Sequence, residues 1–345
     1  GSNMGAFGVG CLEYYAGPNW YVNPEGSDDI NIGSIESPFA TIQKAISSSA
    51  EGETIIVAQG TYYENITIGD GKTLISESGR DNTIIDAQEN GRVIQLNESA
   101  TIDGFTIRNG NVGYGAEGGG INVNSHGNQQ TFLRNLIIEN NSAGVEADGL
   151  PDNGDGQGGG IAIETYVYGE IEPNIPIVEM SDCIVRYNTA ESDYSDEGGW
   201  AGGVYIYADH YVKIERCEIT NNFAEERGGG LYITGQYSDT NSEQKVVEIS
   251  NSTIAYNRAY GPESSNLPPG RGIEIRGHAF VNLVNSVVYD NYYQDLQGEW
   301  QGHEVTVLNE GSVVEAIVKI EYSNIEGGMS GVDLGYNEQT MIWGN

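Results

Sequence analysis

Basic residues, cysteine and long apolar runs are all scarce in this sequence. Its 345 residues include 15 Lys and Arg against 50 Asp and Glu, which gives a formal net charge of −35. Because phosphate backbones and anionic membranes are bound through Lys and Arg, this balance argues against nucleic acid and lipid headgroups as partners. No apolar run is long enough to span a bilayer, so we expect no membrane insertion.

What the sequence does have is a repeat. An apolar-x-x-small-x-apolar-x-x-Asn pattern recurs about every 35 residues, and a Gly-rich β signal follows most copies. Such a period predicts a solenoid of stacked units that share one core. The small residue, second apolar residue and Asn of each copy are Gly104/Thr106/Asn109, Asn135/Ile137/Asn140, Cys183/Val185/Asn188, Cys217/Ile219/Asn222, Ser252/Ile254/Asn257 and Ser286/Val288/Asn291.

The spacing within each copy predicts which side chains point inward. Residues two apart lie on the same face of a strand, so the small and second apolar residues are expected to face the core. Each Asn is expected where the coil turns, in a left-handed conformation, with its amide bonded to the next coil. Cys183 and Cys217 share one inward position in consecutive copies, which favours free, buried thiols over a disulfide. Cys11 lies outside the repeat.

A second strand is predicted between successive copies. It follows glycine runs at 118–120, 158–160 and 228–230, where a corner needs positive φ or close approach of neighbouring coils. A phosphate-binding loop also uses glycines, but it requires a following helix and a Lys-Ser/Thr pair, and neither follows these glycine runs.

The N-terminal segment predicts one amphipathic helix that caps the solenoid. Ser37 is a good N-cap and Pro38 suits the first helical position. An apolar stripe follows at Phe39, Ile42, Ala45 and Ile46.

These elements predict one elongated domain. We expect a tag remnant or linker over 1–19 and a single domain over 20–345, with a cap at 20–52, irregular coils at 53–100 and regular coils at 101–345. We interpret the chain as a monomeric module of a larger exported protein.

The opening segments resemble a known family. Residues 20–22 (WYV), 26–28 (GSD), 37–45 (SPFATIQKA) and 52–62 (GETIIVAQGTY) look like the cap and first coil of the pectin-lyase-like, right-handed parallel β-helix proteins. The resemblance implies an all-β fold, a single-stranded right-handed parallel β-helix with an N-terminal capping helix, and the usual hand of parallel crossovers agrees with it. That family includes secreted polysaccharide lyases, glycoside hydrolases, uronate epimerases and surface adhesins. It therefore implies a secreted or cell-surface protein and leaves the activity open.

The enzyme signatures of that family are incomplete here. The paired Asp motif of the polygalacturonase-like hydrolases is not found. Asp209-His210 is a partial match to the Asp-Pro-His-Asp motif of alginate epimerases, and Arg276-Gly277-His278 is a partial match to the basic cluster of alginate and chondroitin lyases.

Two acidic loops supply candidate metal ligands. Asp and Asn alternating with Gly present hard oxygen atoms on a backbone that can curl, which suits Ca²⁺. Calcium binding and a merely solvated loop both fit this composition. The candidate ligands are Asp148, Asp152 and Asp155 in one loop and Asp193, Asp196 and Glu197 in the other.

The strands after the glycines supply a candidate binding face. Aligning them predicts two outward columns that mix tyrosines, carboxylates and amides, which could stack on sugar rings and bond their hydroxyls. An ordinary exposed strand face is the alternative. The predicted substrate contacts are Asn122, Asn124, Tyr205, Tyr207 and Tyr232.

Candidate catalytic residues depend on the reaction. β-Elimination from a uronate needs a base and a cation, for which the candidates include Lys213, Arg276, His278 and Tyr207. Hydrolysis needs two carboxylates across a cleft, for which Glu164 and Glu274 are candidates. The sequence thus predicts a polysaccharide-binding module with calcium in its loops. If this module is an enzyme, it is a polysaccharide lyase or a glycoside hydrolase. The alternative is a non-catalytic adhesion or spacer module.

Overall fold

The computed structural model describes residues 15–113, 115–126, 130–144, 156–166, 175–191, 199–235, 245–260, 271–294, 300–301, 303–308, 316–334 and 341–344. Here the backbone winds into a parallel β-helix. A regular coil contributes one strand to each of four sheets, which we name A, B, C and D in chain order.

The described strands are distributed over these sheets as follows. Sheet A contains β1 Asn19–Val22, β2 Thr54–Val57, β5 Lys72–Ser76, β8 Ala100–Asp103, β12 Thr131–Arg134, β16 Val178–Ser181, β20 Val212–Glu215, β24 Lys245–Ser250, β28 Ala279–Val284, β33 Ile317–Glu321 and β36 Met341–Gly344. Sheet B contains β3 Gly60–Tyr62, β6 Thr83–Asp86, β9 Thr106–Arg108, β13 Ile137–Glu139, β17 Ile184–Arg186, β21 Glu218–Thr220, β25 Thr253–Ala255, β29 Val287–Tyr289 and β34 Asn324–Ile325. Sheet C contains β10 Asn111–Val112, β14 Ser142–Ala143, β18 Thr189–Ala190, β22 Phe223–Ala224, β26 Arg258–Ala259, β30 Tyr292–Gln294 and β31 Trp300–Gln301. Sheet D contains β4 Ile66–Gly69, β7 Ile94–Asn97, β11 Ile121–His126, β15 Ile161–Tyr166, β19 Val204–Ala208, β23 Leu231–Thr234, β27 Ile273–Arg276, β32 Val305–Leu308 and β35 Val332–Asp333.

Strand pairing keeps equivalent residues stacked along the axis. All these neighbours are parallel except β30 and β31, which pair antiparallel. Alternate residues point inward and form one continuous core. One such inward column runs through Ile121, Ile161, Val204, Leu231 and Ile273. Burial of these β-branched and aliphatic side chains is what stabilises stacked coils that have no other interior.

The predicted asparagine ladder exists at the turn between sheets B and C. Each amide nitrogen donates to the amide oxygen of the equivalent Asn one coil further on, at 2.9–3.0 Å. The same oxygen also accepts from the backbone N–H of the preceding Asn. The buried members are Asn141, Asn188, Asn222, Asn257 and Asn291.

In the two earliest copies of the repeat, the predicted register is wrong by one residue. The ladder passes through Asn141 and not Asn140, and Asn141 Oδ1 accepts from the backbone N–H of Gly110, so Gly110 and not Asn109 holds the preceding position. Asn109 and Asn140 instead adopt φ of 56° at the corner. A shift of one residue exchanges inward and outward faces of a strand, so the inward side chains of these two coils change with it.

The left-handed residue of each later corner also differs from the prediction. It directly precedes the ladder Asn, as Tyr187, Asn221, Tyr256 and Asp290, with φ between 52° and 57°. The glycine corners before sheet D agree with the prediction, since Gly118, Gly158 and Gly228 have φ of 63–66°; Ala201 adopts φ of 60° at the equivalent place.

The ladder ends on a buried carboxyl. Asn291 Nδ2 donates to Glu304 Oε2 at 2.6 Å. Burial, with repulsion from Glu326 in addition, raises the pKa of Glu304 to about 7, although hydrogen bonds from Asn291 and the charge of Arg271 act in the opposite direction.

A single described α-helix, α1 Ile42–Ser48, packs on β1, β2 and β4 at the N-terminal end of the coil. It begins later than predicted. Thr41 is the N-cap, with its Oγ1 accepting from Lys44 N–H, because Phe39 N–H bonds to Tyr21 in an extended segment. The predicted apolar stripe is buried.

Two other predictions concern cysteine and membranes. Cys183 and Cys217 are free and buried, as predicted, and burial raises the pKa of the Cys183 thiol. Among the described residues, no helix has the length and apolar character needed to cross a membrane.

Candidate functional site

The outer face of sheet D carries the two predicted columns in the predicted register. We call this surface the sheet D face. Strand pairing aligns Asn122, Ala162, Tyr205, Tyr232 and Glu274 in the first column and Asn124, Glu164, Tyr207 and Thr234 in the second. Arg276 follows Glu274 by two residues on the same face.

The side chains of the first column are buried. Tyr205 and Tyr232 are only 5% and 4% exposed. Their rings stack with centroids 5.8 Å apart, and Trp200 stacks on Tyr232 at 5.2 Å. Trp200 Nε1 in turn donates to Glu226 at 2.7 Å. The exposed tyrosine surface is therefore smaller than the sequence predicts. Of the three predicted tyrosines, Tyr207 is the one that is partly exposed.

An aromatic row lies beside this layer on three successive coils. His126 stacks on Tyr166 with ring centroids 5.2 Å apart. Tyr166 approaches Tyr207 at 6.0 Å with the rings tilted by 37°. Tyr166 and Tyr207 are partly exposed and His126 is exposed. This row is a surface on which flat apolar faces of a ligand can stack. His126 and Tyr166 lie two residues beyond the predicted outward positions Asn124 and Glu164, so the same strand alternation is the sequence signal for both.

A pair of carboxyls adjoins the aromatic row. Glu117 lies at the corner before β11, and its carboxyl is within hydrogen-bonding reach of the Glu164 carboxyl on the next coil. Burial raises the pKa of Glu117 to about 7, and repulsion from Glu164 adds to the effect. Two carboxyls this close cannot both ionise without a large repulsion, which is why Glu117 keeps its proton to a higher pH than an isolated carboxyl does. Burial and the nearby Glu164 also raise the pKa of Tyr166.

Buried amide oxygens without a donor lie in the same region. Asn122 Oδ1, Asn124 Oδ1 and Gln157 Oε1 have no hydrogen-bond partner. Asn124 is paired with Glu164 across the strands, and Gln157 is bridged to Glu117. Asn122, 5% exposed, directs its Nδ2 toward the Glu117 carbonyl at 3.4 Å. Buried acceptors normally have partners, so each of these atoms can accept a further hydrogen bond.

The other predicted catalytic residues are not gathered here. Glu274 and Glu164 lie three coils apart, about 14 Å along the axis at the usual strand spacing, which is too far for a glycosidase pair. Glu274 is fully buried and pairs with Arg276 at 2.6 Å. Lys213 lies on sheet A and pairs with Glu215 at 3.0 Å. His278 lies in the turn between β27 and β28.

Calcium binding by the two acidic loops stays a prediction. All six candidate ligands, from Asp148 to Glu197, lie outside the described residues. Within the described ranges, no group of three or more His, Cys, Asp or Glu is placed to hold a metal ion.

Comparison with known proteins agrees with this architecture. A family model described as a right handed beta helix region matches residues 152–314. The crystal structure of pectate lyase Pel9A superimposes with a TM-score of 0.54 and 14% identity, over 95% of this chain and 81% of that one. The chain is a right-handed parallel β-helix of the pectin-lyase-like fold.

Other similarities to this β-helix are weaker or shorter. Pectin methylesterase PemA from Erwinia chrysanthemi matches with a TM-score of 0.48 and 12% identity, over 94% of this chain and 92% of that one. A family described as a protein of unknown function (DUF1565) matches residues 25–70. The Uncharacterized protein YwoF of Bacillus subtilis (strain 168) is 40% identical over 53 residues, which cover 15% of this chain and 11% of that protein. At 14% identity the Pel9A structure establishes the fold alone and leaves the activity open.

Proposed function

We propose that this β-helix is an exported polysaccharide-binding module that holds a sugar chain along the sheet D face. The observation that carries the proposal is the row of His126, Tyr166 and Tyr207 beside the Glu117–Glu164 carboxyl pair. Aromatic rings stack on the apolar faces of sugars, while carboxyls and amides bond their hydroxyls. Pel9A, which shares the fold, is named as a pectate lyase.

The same geometry favours binding over the two reactions considered from the sequence. Among the candidate bases for β-elimination, Lys213 lies on another sheet and Arg276 is held by buried Glu274, while burial, with repulsion from Asp209 and Glu164 in addition, raises the pKa of Tyr207. None of these three side chains is therefore a ready base. The Glu117 and Glu164 carboxyls are in contact, whereas glycosidases keep theirs about 5 Å or more apart. A non-catalytic adhesion or spacer role without sugar binding is the alternative, and calcium in the acidic loops remains a separate prediction.

Affinity electrophoresis in gels that contain different polysaccharides tests the proposal. The double variant Tyr166→Ala/Tyr207→Ala is expected to lose affinity by about tenfold or more, since stacking of each ring contributes about 1 kcal/mol. Tyr63→Ala is the matched control, because Tyr63 is 63% exposed and lies in the first coil, three coils before Tyr166 along the axis. Far-ultraviolet circular dichroism checks that both variants are folded.

Two outcomes would contradict the proposal. One is that no polysaccharide retards the wild-type protein. The other is that Tyr63→Ala weakens retardation as much as the double variant does. Reducing-end and unsaturated-product assays on the retarding polysaccharide then decide whether binding leads to cleavage.

A further inference from the structure

The cationic side chains on and beside the sheet D face are already engaged. Arg92 donates from Nε to the backbone oxygens of Glu117 and Gly118 at 3.0 Å, and from its terminal nitrogens to the Glu117 carbonyl and Gln95. Arg276 is ion-paired with Glu274. A sugar carboxylate at this place would therefore meet no uncommitted guanidinium among the described residues, although Arg is the side chain that best binds a carboxylate.

The polar atoms that have no partner in this region are hydrogen-bond acceptors. The three unpartnered amide oxygens of Asn122, Asn124 and Gln157 can only receive hydrogen bonds. The neighbouring carboxyls of Glu117 and Glu164 present further acceptor oxygens at the same place. Such a set is complementary to hydroxyl or amine hydrogens, delivered directly or through a bound water.

We infer that the subsite formed by Glu117, Glu164, Asn122, Asn124 and Gln157 takes a sugar that brings hydrogen-bond donors and carries no acidic group. This inference rests on the proposed function and narrows its substrate class. A uronate or sulfate would be repelled by the carboxyl pair, in a protein whose formal charge is −35. Like charges at contact distance near a protein surface repel strongly enough to lower affinity by about tenfold or more.

Matched pairs of oligosaccharides test this inference. Each pair has one backbone and differs in whether C6 is a hydroxymethyl or a carboxylate: β-1,4-mannan and mannuronan oligomers, cello-oligomers and their C6-oxidised forms, and oligogalacturonate and its carboxyl-reduced form. Dissociation constants are measured by titration calorimetry at one ionic strength, without and with millimolar Ca²⁺. In any pair that binds, we expect the neutral member to bind at least about tenfold more tightly.

The outcomes separate the inference from the function beneath it. Tighter or equal binding of an acidic member, with or without Ca²⁺, would overturn the inference and leave polysaccharide binding intact. If neither these oligosaccharides nor the gel-embedded polysaccharides bind, the proposed function itself fails and the inference with it.

Charge-removing variants show whether this subsite is the cause of the selectivity. Glu164→Gln and Glu117→Gln keep the shape of the side chain and one acceptor oxygen but remove the carboxyl. The ratio of the dissociation constants of the acidic and neutral members of a pair should therefore fall at least threefold. Glu179→Gln, on the outer face of sheet A, removes one acidic group elsewhere. An equal narrowing in Glu179→Gln would contradict the inference, because the selectivity would then come from overall charge.

Discussion

The asparagine ladder makes Asn222 a sensitive point for stability. Asn222 is 1% exposed. Its Nδ2 donates to Asn257 Oδ1 and to the Val185 carbonyl, both at 3.0 Å. Its Oδ1 accepts from Asn188 N–H at 3.1 Å and from Asn188 Nδ2 at 3.0 Å. One side chain thus links three coils at a corner where the backbone groups have left the strand ladders.

We predict that Asn222→Ala lowers the free energy of unfolding by at least about 3 kcal/mol. The substitution leaves Asn188 N–H, one Asn188 amide hydrogen and the Val185 carbonyl with fewer partners, and each buried polar group left unpaired costs about 1–3 kcal/mol. Water cannot replace the amide, because the corner is closed on both sides by neighbouring coils. Urea unfolding followed by circular dichroism measures the loss.

Asn221→Ala is the matched control for this prediction. Asn221 is the adjacent residue, is exposed and holds the left-handed corner with φ of 55°. Its replacement costs only the poorer fit of Ala to that conformation, about 1 kcal/mol. A loss at Asn222 no larger than the loss at Asn221 would refute the reasoning that the buried amide network, and not the corner conformation, holds the coils together.

Two further predictions concern protons and calcium. The pKa of Glu304 is raised from 4.5 to about 7, so the folded state binds the proton of this carboxyl more tightly than the unfolded state does. Glu304 therefore favours folding at low pH. This contribution to the free energy of unfolding, up to about 3 kcal/mol, is lost as the pH rises from about 4.5 to about 7. Glu304→Gln should flatten the pH dependence of urea unfolding between about pH 4.5 and pH 7, and an unchanged slope would contradict the assignment. If the acidic loops bind calcium, millimolar Ca²⁺ should raise the unfolding temperature of metal-stripped protein, and Asp152→Asn/Asp155→Asn should abolish the rise. An unfolding temperature insensitive to Ca²⁺ would favour the solvated-loop interpretation.

The fold was predictable from the sequence because a solenoid repeats its requirements. Each coil needs the same inward residues, the same corner and the same amide, so six imperfect copies reinforce one another. The register was less predictable where neighbouring residues are interchangeable. In the segment 136–141 (LIIENN), three apolar residues and two asparagines stand side by side, so two alignments fit the pattern equally. Only the strand pairing selects Asn141.

The helix start was mispredicted for a related reason. Ser37 and Pro38 form a good local signal for an N-terminus, but a tertiary contact overrides it. The Asp28 carboxylate accepts from Ala40 N–H and Thr41 N–H at 2.8 and 3.1 Å, which holds this segment extended until Thr41. Local propensity has no access to such a partner twelve residues away.

The carboxyl pair was not predictable from the sequence because its two members do not share a motif. Glu117 and Glu164 are 47 residues apart, and Glu117 lies in the corner before the glycine run and outside the strand. A usable signal did exist, since Glu117, Gln157, Trp200 and Arg227 all occupy that corner and bridge one another. Aligning the corners as well as the strands would have placed Glu117 next to the coil of Glu164.

What the fold leaves unconstrained is the better guide to function in this molecule. The inward column of sheet D varies only among Ile, Val and Leu, because the core accepts little else. The partly exposed outward position three residues further along each strand changes from Asn to Glu, Tyr and Thr in successive coils, although the strand pairing is the same in each. Packing of the coils requires none of these outward choices. The chemistry of the sheet D face is therefore set coil by coil, and a ligand that lies along the axis would contact Asn124, Glu164 and Tyr207 in turn, at the spacing of about 4.8 Å that separates strands. A pyranose ring in an extended chain is of similar length, so the face is suited to a chain that runs along the axis and not across it.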